Sequence, residues 1–245
     1  MARYYCLLLD ADNTLVDFDM AERKALAETL EHYGITPDAA TVDLYHRINS
    51  GLWADLEKGL IRREKLGSER FTRFLRQIGA AGKGAEMNQY YLDCLSSHPD
   101  LIPGALDVLR ELAEVATLAV ISNGFYRVQS RRIQESGVAD YMEEVFISEK
   151  MGYDKPDRRC FDTALEQLGV ENYANVLVVG DSLSSDIKGG VNAGLDTCWY
   201  NPEGKENRSG VTPTYEIRNL TELYKIVMED EELANVGVKN RKHSL

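Results

Sequence analysis

The stretch Tyr4-Tyr5-Cys6-Leu7-Leu8-Leu9-Asp10-Ala11-Asp12-Asn13-Thr14 decides how the rest of the chain is read. An apolar run from Tyr4 to Leu9 stops abruptly on a carboxylate, which predicts a short buried β-strand. Three later clusters stand in the same relation to an apolar run, or lie just past the turn after one. They are Ser122-Asn123-Gly124, Lys155-Pro156, and Gly180-Asp181-Ser182-Leu183-Ser184-Ser185-Asp186. Further strands are predicted at 117–121, 145–148, 176–179, 197–200 and 215–217. Helices are predicted between them, from Pro103-Gly104 to about Ala113 and over 127–135, 159–168 and 185–193. Strands alternating with helices give right-handed parallel crossovers. The expected fold is therefore α/β, a Rossmann-like parallel sheet with helices on both faces. In such a sheet the carboxyl ends of the strands share one crevice, where residues distant in sequence meet.

No convincing strand occurs between about 19 and 98. Helical spacing instead recurs over 20–33, 38–57, 62–77 and 85–97, with a Gly-rich loop at 79–84. This block reads as an all-helical domain inserted after the first strand. The expected division is a core from 1–17 and 99–230, a helical domain at 18–98, and a mixed-charge tail at 231–245 that frays. Hinges are expected near Leu15–Asp19 and Pro99–Pro103.

The chain has 245 residues and a formal charge of −12, from 40 acidic and 28 basic side chains. Such a surface repels polynucleotide backbones and anionic membranes, so neither is an expected partner. No run of eighteen apolar residues exists, and the first residues lack a signal-peptide pattern. The four cysteines are widely spaced with no CxxC pair, which argues for buried apolar roles in a reducing cytoplasm.

Each cluster permits specific chemistry. The Asp10 carboxylate can attack phosphorus, forming an aspartyl-phosphate. Asp12, two residues on, can face the same cleft, protonate a leaving alcohol and later deprotonate water. Two aspartates after a strand are equally at home as turn formers. Asp181 and Asp186 bracket a turn, and beside Asp10 they would repel one another unless a hard cation such as magnesium joined them. The alternative is a helix cap at Ser184 or Ser185. The Ser122 hydroxyl and the Lys155 ammonium suit phosphate oxygens, although Ser-Asn-Gly is also an ordinary turn and a lysine beside proline an ordinary surface group.

Taken in order, Asp10, Asp12, Thr14, Ser122, Lys155, Asp181 and Asp186 match the pattern of the haloacid dehalogenase-like hydrolase superfamily, which the chain resembles over about residues 4–201. The resemblance implies Asp10 as nucleophile and metal ligand. It implies Asp12 as general acid/base whose main-chain carbonyl also reaches the metal. Ser122, Asn123 and Lys155 would bind phosphate, Asp181 and Asp186 would complete a magnesium site, and Thr14 would brace the loop. Asp12 points to phosphatases and phosphomutases, because ATPase-type members carry threonine there and dehalogenases lack the second aspartate. The inserted helices match the family's cap, a lid expected to choose the leaving group, with Phe18 and Trp53 as candidate contacts.

The segments Asp10 to Phe18, Ser122-Asn123-Gly124-Phe125 and Trp199-Tyr200-Asn201-Pro202 further resemble the pyrimidine 5′-nucleotidase subgroup. That resemblance implies an enzyme that removes phosphate from nucleoside monophosphates, uncommon pyrimidines included; a monomer or homodimer in the cytoplasm is expected. A sugar-phosphate phosphatase or phosphomutase, or a non-catalytic phosphate-binding module, are the alternatives on the same fold.

Overall fold

The structure is a computed structural model that describes residues 2–228. The expected tail at 231–245 lies outside the described residues. In chain order the elements are β1 (Cys6–Leu9), α1 (Phe18–His32), α2 (Ala39–Glu57), α3 (Arg63–Ile78), α4 (Gly84–Ser96), α5 (Ala105–Ala113), β2 (Thr117–Ser122), α6 (Tyr126–Glu135), β3 (Glu144–Ile147), α7 (Ser148–Met151), α8 (Arg158–Gln167), β4 (Val176–Gly180), α9 (Lys188–Ala193), β5 (Asp196–Tyr200), β6 (Tyr215–Ile217) and α10 (Glu222–Val227). The chain divides into two compact units. One takes the residues up to Asp17 and those from Asp100 onward; the other is Phe18–Pro99.

In the first unit six strands among the described residues form one sheet in the order β3-β2-β1-β4-β5-β6. Every neighbouring pair is parallel. A parallel sheet covered on both faces needs strands that are apolar on both sides. β1 reads Cys-Leu-Leu-Leu and is buried throughout. Leu7 and Leu9 pack into one core with α5 and α10, while Cys6 and Leu8 pack into another with α8. The helices supply matching stripes: Ala105, Val108, Leu109 and Leu112 on α5, and Cys160, Phe161, Ala164 and Leu165 on α8.

Strand order reverses between β1 and β4, which is where ligands bind in open α/β sheets. The register aligns Leu9 with Val120 on one side and Val179 on the other. Asp10, just past β1, therefore falls opposite Ile121 and Gly180, and Ser122 and Asp181 lie one residue further on, so the three gather at the carboxyl ends of β1, β2 and β4. The chain leaves and re-enters this unit through paired segments. Val16 bridges Leu101, and the Asp17 N–H donates to the Asp100 carbonyl at 2.8 Å.

The second unit consists of α1 to α4 around an aromatic core. The Tyr45, Phe71, Phe74 and Tyr91 side chains are fully buried, with the Tyr45–Phe71 and Phe71–Tyr91 ring centroids 5.3 and 5.4 Å apart. Asp38 caps α2 by accepting from the Thr41 N–H at 2.8 Å.

Three features differ from the sequence reading. Ser148 begins α7 instead of ending β3. The helix expected over 185–193 is α only from Lys188. Before it the turn Leu183–Ile187 is wider, with the Ile187 N–H reaching the Ser182 carbonyl five residues back. Finally, α10 carries no strong sequence signal, being six residues whose buried face is only Leu223, Ile226 and Val227.

Candidate active site

Asp10 follows β1 directly, and its N–H donates to the Val179 carbonyl at 2.8 Å, fixing the carboxylate at the β1–β4 boundary. Asn13 takes φ +55°, a left-handed conformation that asparagine tolerates. It lets Leu15 and Val16 fold their N–H groups back onto the Ala11 carbonyl. Thr14 is buried beneath this loop, with its hydroxyl 3.5 Å from Asp10 Oδ2.

Lys155 comes from the loop between α7 and α8 and is buried. Its Nζ donates to Asp10 Oδ1 at 2.6 Å and the Ile121 carbonyl at 2.7 Å, and lies 2.7 Å from Asp186 Oδ1. Burial opposes its charge, but Asp10 and Asp186 outweigh that and hold the ammonium protonated. Asn123 does a task that the sequence reading did not foresee. Its amide brackets the Lys155 backbone, donating to the Lys155 carbonyl and accepting from the Lys155 N–H, each at 2.8 Å. The Asn123 side chain thus positions the lysine.

Asp186 is buried in the wide turn after β4, where its Oδ2 accepts from the Ser182 N–H at 3.0 Å. Gly180 is required there, because a Cβ would overlap the Asp186 carboxyl. Asp181 is half-buried, and the Trp199 indole N–H holds its carbonyl at 2.8 Å. One carboxylate oxygen from each of Asp10, Asp181 and Asp186 lies within 4.8 Å of the other two. Burial, reinforced by Asp186, pushes the Asp10 carboxyl well above the ordinary aspartate range against the pull of Lys155. The same two causes push Asp181 up to about 7.

The Asp12 carboxylate is engaged elsewhere. Its Oδ1 accepts from Arg132 at 2.5 Å and its Oδ2 from Gln129 at 2.7 Å, both on α6. Gln129 also donates to Ser122 Oγ at 2.8 Å, and the Gly124 N–H donates to the same oxygen at 3.1 Å. With two bonds accepted, the Ser122 hydroxyl retains its O–H for donation. Sequence reading missed Gln129 and Arg132. The available signal was two polar residues three apart on the face of α6 that also buries Val128 and Ile133.

Four carboxylates (Asp10, Asp12, Asp181 and Asp186) stand against two cations, Lys155 and Arg132, in this cluster among the described residues. With all four ionised the cluster would carry an excess of two negative charges, and that excess and an all-oxygen donor set fit a hard divalent cation such as magnesium. The candidates Phe18 and Trp53 belong to the helical unit. Phe18 opens α1, and half-buried Trp53 on α2 has the Arg63 guanidinium 5.8 Å from its ring centroid. Among the described residues no helix is long and apolar enough to cross a membrane.

Comparison with known proteins points to one family. The family model for haloacid dehalogenase-like hydrolases matches residues 5–194. PynA of Streptococcus pneumoniae, named a pyrimidine 5′-nucleotidase, is 38% identical over 90% of this chain and 93% of its own length. YjjG of Escherichia coli carries the same activity in its name and is 34% identical over 90% and 96%. YfnB of Bacillus subtilis is 38% identical over 93% of this chain and 97% of that protein. Its crystal structure, described as bound to magnesium and as revealing interdomain movement, aligns with a TM-score of 0.88 over 92% of this chain and 99% of that one.

Proposed function

The chain belongs to the haloacid dehalogenase-like hydrolase family, and from that premise we propose that it is a magnesium-dependent phosphomonoesterase acting on pyrimidine nucleoside 5′-monophosphates, uncommon ones among them. The observation that carries this reading is the convergence of Asp10, Lys155, Asp181 and Asp186 at one sheet edge, with Asp12 and the Ser122 hydroxyl beside them. The nucleotide specificity rests on likeness to PynA and YjjG.

In the first displacement an Asp10 carboxylate oxygen attacks phosphorus and the bond from phosphorus to the leaving oxygen breaks. Asp12 gives that oxygen its proton, releasing the nucleoside as an alcohol. In the second, water attacks phosphorus, Asp12 takes up a water proton, and the phosphorus–Asp10 bond breaks to give inorganic phosphate. Lys155 and the Ser122 O–H hold the phosphoryl oxygens, and Asn123 fixes the height of Lys155. Asp10, Asp181 and Asp186, joined by the Asp12 main chain, would hold magnesium, which when bound supplies charge neutralisation at the phosphoryl group. A cation there would also return Asp10 to the ionised form that a nucleophile needs. The helical unit selects the leaving group, with Phe18 and Trp53 as contacts.

The test is turnover of a panel of nucleoside, sugar and other metabolite phosphates with magnesium and with EDTA. The expected result is preference for pyrimidine nucleoside 5′-monophosphates and activity only with the metal. Preference for a sugar phosphate, or isomerisation without free phosphate, would replace the nucleotidase reading. Phosphate binding with no turnover across the panel would defeat the enzyme reading.

A further inference from the structure

We propose that Gln129 and Arg132 are positioning residues for acid–base catalysis, holding the Asp12 carboxyl in one orientation and coupling it to the Ser122 hydroxyl. The inference rests on the reading of Asp12 as the proton donor and acceptor. Asp12 sits in a loop, and its side chain is 29% exposed. A short carboxylate at a loop edge samples several rotamers, yet proton transfer requires hydrogen-bond reach of the leaving oxygen.

α6 supplies the restraint. Its buried Val128 and Ile133 anchor it in the α/β unit, so groups on it are more precisely held than groups on loops. Arg132 is fully buried, an expensive place for a guanidinium, and it meets Asp12 Oδ1 at 2.5 Å. The Gln129 amide can face only one way. With Asp12 ionised, as when it acts as the base, its oxygens only accept, so the amide nitrogen must lie toward Asp12. Arginine donates and never accepts, so the amide oxygen must lie toward Arg132, at 3.2 Å. Both amide hydrogens are then used, one on Asp12 Oδ2 at 2.7 Å and one on Ser122 Oγ at 2.8 Å. One side chain thereby sets the acid/base group and the phosphate-facing hydroxyl together. The turn after β2 makes room for it, since a Cβ on Gly124 would overlap the Gln129 side chain.

A positioning role predicts a dependence on the leaving group that general damage does not. An alkyl leaving group such as a nucleoside needs the proton from Asp12, whereas p-nitrophenolate departs without one. The experiment compares steady-state kcat and KM for uridine 5′-monophosphate, or the alkyl phosphate turned over best, with the pre-steady-state burst of p-nitrophenol from p-nitrophenyl phosphate. In Arg132→Met and Gln129→Leu the alkyl kcat should fall about 10- to 100-fold, with KM moving less than about threefold and the burst rate falling less than about threefold. Equal losses on both substrates, or no loss on the alkyl phosphate, would overturn the proposal. If Arg132→Met does not fold, Gln129→Leu decides by the same criteria. Asp12→Asn separates the layers. If it loses alkyl turnover while the folded α6 variants keep theirs, the positioning role fails and the acid/base reading stands. If it keeps alkyl turnover, both fail.

Discussion

Each unit of the molecule buries a cluster of charge, and the two are built on opposite terms. In the helical unit Glu22 is 5% exposed and surrounded by donors. Asn49 donates to its Oε1 at 2.8 Å, the Tyr91 hydroxyl to the same oxygen at 3.2 Å, and His46 Nδ1 lies 3.0 Å from Oε2. Buried Arg70 bonds Asn49 and Asn88 and stands 4.6 Å from the Tyr91 ring centroid. Asn49 joins the acid to the base, donating to Glu22 and accepting from Arg70, so one negative and one positive side chain share a network within the unit. At the sheet edge Asp10, Asp181 and Asp186 outnumber Lys155, and two of the three carboxyls are pushed upward. A buried cluster that balances itself holds a fold together. One left with surplus charge is prepared for something that arrives from outside.

The contrast can be broken first by chemistry. Asp10→Asn should lower kcat at least about a thousandfold, because the nucleophile is lost while the amide keeps the shape. A parent-like rate in the phosphate-release assay would remove the sheet-edge cluster from catalysis. Next comes stability. Glu22→Leu leaves the buried Asn49 amide and Tyr91 hydroxyl without their acceptor and should cost roughly 1–3 kcal/mol for each stranded donor in urea unfolding. A change near zero would mean that the helical cluster is not structural.

The third test adds magnesium. At about 100 times its Kd the metal should stabilise the parent by about 2.7 kcal/mol, and it should do little for Asp186→Asn, as read by thermal melting. The smallest effect is the pH dependence of the metal-free protein. Asp181 is raised in the folded state, so between the ordinary aspartate range and about 7 the folded chain binds more protons than the unfolded one. Stability should therefore fall as pH rises through that window, with a slope of at most about 1.4 kcal/mol per pH unit. In Asp181→Asn this slope should flatten in EDTA melts. A slope of the opposite sign would contradict the surplus-charge picture.

Much of the site can be read along the chain. Asp10, Ser122 and Asp181 each stand at the end of an apolar run, and in a parallel sheet strand ends coincide. Three things were not legible. Asn123 looks like a phosphate contact but spends its amide on the Lys155 backbone, a pairing across 32 positions that no local pattern announces. Gln129 and Arg132 look like polar residues on an ordinary helix until α6 is seen beside the Asp12 loop. The wide turn before α9 follows from the Asp186 side chain folding back onto the Ser182 N–H, which helical periodicity does not record.

Local pattern alone determined the alternation of strand and helix, the helical insertion and the acidic residues that end the strands. These depend on side-chain periodicity and on abrupt changes of polarity, both properties of neighbours along the chain. The tertiary structure decided which cation answers which acid: Lys155 with Asp10 and Asp186, Arg132 with Asp12. Coulombic attraction and hydrogen bonding depend on separation in space, and only the strand order β2-β1-β4, with α6 beside it, turned separations of 145 residues (Lys155 to Asp10) and 120 residues (Arg132 to Asp12) into contacts of under 3 Å.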